Sequence, residues 1–82
     1  MNDPSMSSAP LRVQVQNALD QYFHQLDGHP PPANFYRLVI QEVEPPLLRS
    51  VLEYTGGNQS RAAEILGMNR ATLRKKLRHY QI

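Results

Sequence analysis

The chain contains no cysteine, so a disulfide framework and thiolate metal sites are both excluded, which suits a reducing cytosol. No apolar run approaches the roughly 20 residues of a membrane span, and Met1 to Pro10 lacks the basic and apolar blocks of a signal peptide. His24, His29 and His79 show no metal-ligand spacing and read as ordinary surface or packing residues. Glu42 and Glu44 face different sides of a helix and have no catalytic partner, and no serine lies in a nucleophile-elbow sequence. Gly56-Gly57-Asn58-Gln59-Ser60 lacks the lysine and spacing of a nucleotide-binding loop. An enzyme is not expected, nor a cofactor, a metal or a small-molecule substrate. With 82 residues the chain forms one domain at most with short appendages. A chain of this size buries only about 60% of its unfolded surface, so self-association is an early expectation.

What is present is unevenly spread. Residues 1–56 carry Arg12, Arg37 and Arg49 against Asp3, Asp20, Asp27, Glu42, Glu44 and Glu53, a net charge of −3. Residues 57–82 carry Arg61, Arg70, Arg74, Lys75, Lys76 and Arg78 against Glu64 alone, a net charge of +5. The asymmetry points to a polyanionic partner for the C-terminal third.

The periodicity is helical throughout, with neither strands nor internal repeats. Residues 1–9, rich in Ser and Pro, have too little apolar content to pack and are expected to be disordered. From Pro10, placed at a helix start, Leu11, Val15, Ala18, Leu19, Tyr22, Phe23 and Leu26 recur at spacings suited to an amphipathic helix that stops at Gly28. His29 and Pro30 to Pro32 form a stiff extended connector. A second helical stretch starts near Asn34, a good N-cap, with Phe35, Leu38, Val39 and Val43 on its apolar face. Pro45 and Pro46 leave two readings open. Either the helix ends near Glu44, or one long helix kinks at the pair and resumes in phase through Leu47, Leu48, Val51, Leu52 and Tyr54. Gly56 and Gly57 close it. Asn58 then caps a short helix from Gln59 to about Leu66, Gly67 breaks it, and Asn69 caps a last helix running to about Tyr80.

Two short helices joined by a tight Gly-containing turn are a helix-turn-helix pattern. Ala62 and Ala63 allow close approach, while Leu66, Met68, Leu73 and Leu77 lock the pair at a fixed angle. On the last helix Leu73, Leu77 and Tyr80 form one buried stripe, and Arg74, Lys75 and Arg78 project from the other side with small Ala71 and Thr72 between them. Such a face fits a major groove. Arg70 and Arg74 suit guanine, Asn69 and Thr72 suit adenine, thymine or phosphate, and Lys75, Lys76, Arg78 and His79 lie where phosphates run. Asn58 and Ser60, at a helix N-terminus, are placed to grip a further phosphate.

Gly57-Asn58-Gln59-Ser60-Arg61-Ala62-Ala63, Leu66-Gly67-Met68-Asn69-Arg70 and Thr72-Leu73-Arg74-Lys75-Lys76-Leu77 strongly resemble the Fis family of bacterial nucleoid proteins. A related helix-turn-helix ends the NtrC-type activators, behind an ATPase domain that this chain lacks. The likeness extends through Pro10-Leu11-Arg12, Tyr22-Phe23, Gln25-Leu26, Tyr36, Leu38-Val39, Glu42-Val43-Glu44, Pro46-Leu47-Leu48 and Tyr54-Thr55, nearly everything after Ala9.

The resemblance implies an all-α fold of four helices: an intertwined homodimer core from the first two, and a helix-turn-helix in each subunit. The division expected is 1–9, a disordered segment; 10–56, the dimerisation helices; and 57–82, the DNA-binding region. It favours the kinked-helix reading, with Pro46 at the family's proline and Pro45 as a departure. Base-contacting positions fall on Asn69, Arg70, Thr72 and Arg74, and phosphate-contacting ones on Asn58, Ser60, Lys75, Lys76 and Arg78. The dimer core falls on Leu19, Tyr22, Phe23, Leu26, Leu38, Val39, Val43, Leu47 and Val51.

The resemblance also implies reduced bending, since Gly56 stands where the family often has arginine, and a weaker contact at His79, which replaces a lysine-like position. With only nine residues before Pro10, recombinase stimulation is not expected. The function implied is a cytoplasmic, nucleoid-associated, DNA-bending regulator of transcription. Double-stranded DNA, a second copy and RNA polymerase are its partners, and a membrane is not. Two rivals have their own signatures. A promoter-specific regulator would bind tightly at few sites, and a helical adaptor with a basic helix would be indifferent to loss of Arg70, Arg74 or Lys75 in DNA binding.

Overall fold

The computed structural model describes residues 9–82, and these contain four helices and no strand. The fold is all-α. Of the lead-in expected to be disordered, everything but Ala9 lies outside the described residues.

Helix α1 spans Leu11–Gln25. Pro10 precedes it with φ −59° and ψ 150°, an extended geometry that proline favours, and its carbonyl accepts from the Val13 and Gln14 amides at 3.0 and 3.2 Å. Gln16 donates to Asp20 one turn later at 3.0 Å. Tyr22 and Phe23 meet edge to face, with ring centroids 5.7 Å apart. No α1 residue is buried in the single chain. The helix turns off through Asp27 and Gly28, both at positive φ, as Gly28 led us to expect.

Residues 34–82 form a compact unit of their own. Its first helix, α2 (Phe35–Tyr54), runs unbroken through Pro45 and Pro46. Of the two readings of the proline pair, the long helix is the one adopted. Each interior proline removes an amide, so the carbonyls of Gln41 and Glu42 lose their helical donors, at a cost of about 3 kcal/mol per site. Packing just downstream opposes that cost, with Leu48 fully buried and Val51 and Leu52 partly buried against the same core. The start of α2 departs from expectation. Asn34 adopts a left-handed conformation (φ 63°, ψ 37°) and its side chain makes no cap bond. Asparagine tolerates that geometry better than most residues, so it supplies the turn rather than the cap.

Helix α3 spans Gln59–Leu66 and α4 spans Arg70–Tyr80, the boundaries the sequence predicts. The corner between α2 and α3 is pinned by the Gly57 amide donating to Leu52 O at 2.8 Å, and by the Thr55 hydroxyl, 3.1 Å from the carbonyls of Leu52 and Asn58. At the next corner Gly67 is left-handed (φ 75°), which lets the Met68 amide return to Ala63 O at 3.0 Å and the Gly67 amide to Glu64 O at 3.1 Å. The same hand-off ends α4. Gln81 takes the left-handed position (φ 58°), its amide bonds Arg78 O, and the Ile82 amide bonds Leu77 O at 2.9 Å.

The core of this unit is Leu48 of α2, Ala62 and Ala63 of α3, and Leu73 and Leu77 of α4, with Val51, Leu52, Leu66, Met68 and Tyr80 packed around it. The second half of α2 is thus a third wall of the helix-turn-helix. Val51, which the resemblance places in the dimer core, is partly buried against this core within the single chain.

Candidate nucleic-acid interface

Two asparagines set the frame. Asn58 Oδ1 accepts from the Arg61 amide at 3.1 Å and Asn69 Oδ1 from the Thr72 amide at 2.8 Å, each satisfying one orphan donor of its helix. Asn69 is therefore a helix cap, and because the cap bond uses Oδ1, the Nδ2 donors keep their capacity for a base edge. The cap also fixes where the first turn of α4 begins, and with it the direction of every basic side chain that follows.

At about 100° per residue, burial of Leu73 and Leu77 turns Ala71, Arg74, Lys75 and Arg78 to the outside of α4. Asn69, Ala71, Thr72, Arg74, Lys75 and Arg78 line one shallow depression on that face. Five of the predicted contact residues are thereby brought together around a small one. Arg70 is exposed at the start of the same helix but does not line the depression. A second depression joins Arg74 and Arg78 to Gln59, at the N-terminus of α3, and to Gln81. Gln59 had no role in the sequence reading. Its position in the first turn after Asn58, beside the exposed Ser60, is the signal that could have found it.

Lys76 is placed differently. Its Nζ lies 2.8 Å from Glu44 Oε2 on α2, and the Tyr80 hydroxyl donates to Glu44 Oε1 at 2.6 Å. The bonds from Lys76 and Tyr80 hold the Glu44 carboxyl below its ordinary pKa against the opposing effect of desolvation, and the bond to Glu44 raises that of the Tyr80 phenol. Both shifts preserve one arrangement, a carboxylate facing an ammonium and a neutral phenol. In the free chain Lys76 thus anchors α4 to α2. The sequence reading placed Lys76 among the phosphate contacts and gave Glu44 no role. His79 is exposed and stacks edge-on with Tyr80, at 4.8 Å between centroids.

Among the described residues no group of His, Asp or Glu has the makings of a metal site, and no helix is long and apolar enough to cross a membrane. The exposed face of α4 offers cations, amides and hydroxyls as donors. Its chemistry is that of an anion-binding surface shaped as a helix.

Comparison with known proteins bears on what that surface meets. Residues 39–80 match the family model described as bacterial regulatory protein, Fis family, and residues 1–31 match that of the DNA-binding protein Fis N-terminal domain. The chain is 53% identical over 75 residues to the DNA-binding protein Fis of Actinobacillus succinogenes, covering 92% of this chain and 75% of the relative. It is 49% identical over 71 residues to that of Buchnera aphidicola, covering 87% and 72%, and 52% identical over 75 residues to that of Proteus mirabilis, covering 92% and 76%.

Proposed function

This chain belongs to the Fis family of bacterial regulatory proteins, and on that premise we propose that it is a non-enzymatic, homodimeric regulator that binds and bends double-stranded DNA. The observation that carries the proposal is that Asn69, Thr72, Arg74, Lys75 and Arg78 line one exposed depression on α4. A helix of this width fits the major groove, about 12 Å across, and presents its donors to base edges and to the phosphates on either side.

In this proposal Asn69, Arg70, Thr72 and Arg74 reach bases, and Asn58, Ser60, Lys75 and Arg78 hold phosphates, with Lys76 at the margin where Glu44 holds it. A second copy is called for by the apolar surface that one chain leaves uncovered. On α2, Val39, Val43 and Leu47 recur every fourth residue, and Val43 and Leu47 are 45% and 49% exposed. On α1, Phe23 is 45% exposed and Leu19 and Tyr22 are only partly buried, as is Leu26 just beyond its end. A surface of this kind marks an association site. Two-fold pairing presents two copies of α4 to successive major grooves. If their separation is shorter than one DNA turn, the duplex must bend and its central minor groove narrow, and A/T-rich centres are read through that deformation. Degenerate site choice follows, as expected of a protein that organises the nucleoid and regulates transcription in the cytoplasm, with RNA polymerase as a partner where sites lie in promoters.

Gel shifts with circularly permuted DNA sites test this reading. Mobility that depends on where the site lies, with a moderate preference among sequences, is the expected result. Position-independent mobility removes bending from the proposal, and failure to shift any duplex removes DNA binding.

A further inference from the structure

The first half of α2 and the flank of α4 enclose an open groove of about 600 Å³, whose lining includes Arg37, Gln41, Thr72, Lys75 and His79. Thr72 and Lys75 also line the depression on the outer face of α4, so groove and depression form one continuous surface. The periodicity of α2 explains the lining. Arg37, Gln41, Glu44 and Leu48 follow at helical spacing on one side, and Leu48 turns that side toward α3 and α4.

The charge of the groove is positive and unneutralised. Glu44 is the acidic residue in its lining, and Lys76 and Tyr80 occupy that carboxylate at 2.8 and 2.6 Å. Among the described residues, neither Arg37 nor Lys75 has a carboxylate within ion-pair distance. Arg37 and Lys75 thus face the same groove as exposed cations without a counter-charge.

Geometry suggests what supplies one. A helix about 10–12 Å across fills a major groove about 12 Å wide, so a phosphate strand must run along each flank of it. Beside α4, one flank is bordered by Gln59 at the start of α3 and the other by the first half of α2. We propose that the sugar-phosphate backbone on the α2 flank lies along this groove, and that Arg37 donates to its phosphate oxygens, assisted by the amide of Gln41. DNA contact then extends beyond the helix-turn-helix onto α2. The inference rests on the DNA-binding reading above.

The test is a salt series of duplex affinities for the full chain, measured by fluorescence anisotropy with Arg37→Ala, Arg37→Lys and Arg74→Ala beside the wild type. Arg37 is exposed on a helix, so its removal leaves the fold intact. We expect Arg37→Ala to make the slope of log K against log salt shallower by about 2 per dimer, and to weaken binding about tenfold or more near 0.1 M salt, equally on every sequence. Arg37→Lys should keep the wild-type slope. An unchanged slope in Arg37→Ala, with site preference lost in Arg74→Ala, overturns the inference and leaves the DNA-binding reading standing. Weaker dimerisation of Arg37→Ala by sedimentation, with the salt slope unchanged, also overturns it and gives the groove to the second copy. Loss of duplex binding altogether in the wild type sinks both.

Discussion

The Tyr80 hydroxyl donates to Glu44 Oε1 at 2.6 Å, which ties the last turn of α4 to the middle of α2 across 36 residues of chain. Lys76, one turn earlier on α4, holds the other oxygen of the same carboxylate at 2.8 Å. The exposed face of α4 is therefore aimed in part from behind, by polar contacts added to the packing of Leu73 and Leu77.

Glu44→Gln should lower stability by about 0.5–1.5 kcal/mol, since the charge-assisted bonds are lost while the shape is kept. The advantage of the wild type depends on pH with a definite sign. The folded carboxyl titrates below its ordinary value of 4.5, so the contribution is fully present above about pH 4.5 and is lost as pH falls through the lower folded value. Urea midpoints of the two proteins should differ at neutral pH and converge on acidification. A constant gap at every pH would contradict the pairing.

Lys75 and Lys76 are neighbours with opposite assignments. Lys75→Ala should weaken DNA binding on all sequences alike and reduce the salt slope by about 2 per dimer, with stability within about 0.5 kcal/mol of the wild type. Lys76→Ala should chiefly lower stability. Affinity and urea unfolding measured on both variants check the split, and equal losses of affinity would return Lys76 to the phosphate contacts.

Leu73 is fully buried between α2 and α3, and Leu73→Ala should cost about 2–5 kcal/mol. In an 82-residue chain that is a large share of the total, and thermal melts should show a drop of about ten degrees or more.

Gln81 holds a left-handed position that glycine occupies at the end of α3. An L-residue there carries a steric cost of about 1–2 kcal/mol, part of which glycine returns through its freer unfolded chain. Gln81→Gly should raise stability by about 0.5–1 kcal/mol, seen as a higher urea midpoint at unchanged m-value.

Both ends of α3 and the start of α4 were legible residue by residue, because Asn58, Gly67 and Asn69 are local signals whose hydrogen bonds close within three to five residues. The proline pair was not, because its outcome turns on Leu48, whose burial depends on α3 and α4 arriving from later in the chain. Glu44 escaped for a similar reason: both its partners come from α4. One clue was local. Lys76 and Tyr80 are one turn apart, so the residue assigned to packing already indicated which way Lys76 would lean. Asn34 shows the converse, a good capping residue used for its tolerance of a left-handed turn instead.

The central claim is that the outer face of α4 reads DNA. The most direct measurement is the affinity of Arg74→Ala and wild type for a preferred site and for an unrelated duplex at one salt concentration. Loss of a base contact is worth about 1–3 kcal/mol, so the ratio of the two affinities should fall by about fivefold or more in the variant, with the unrelated duplex bound less affected. An unchanged ratio would contradict the account.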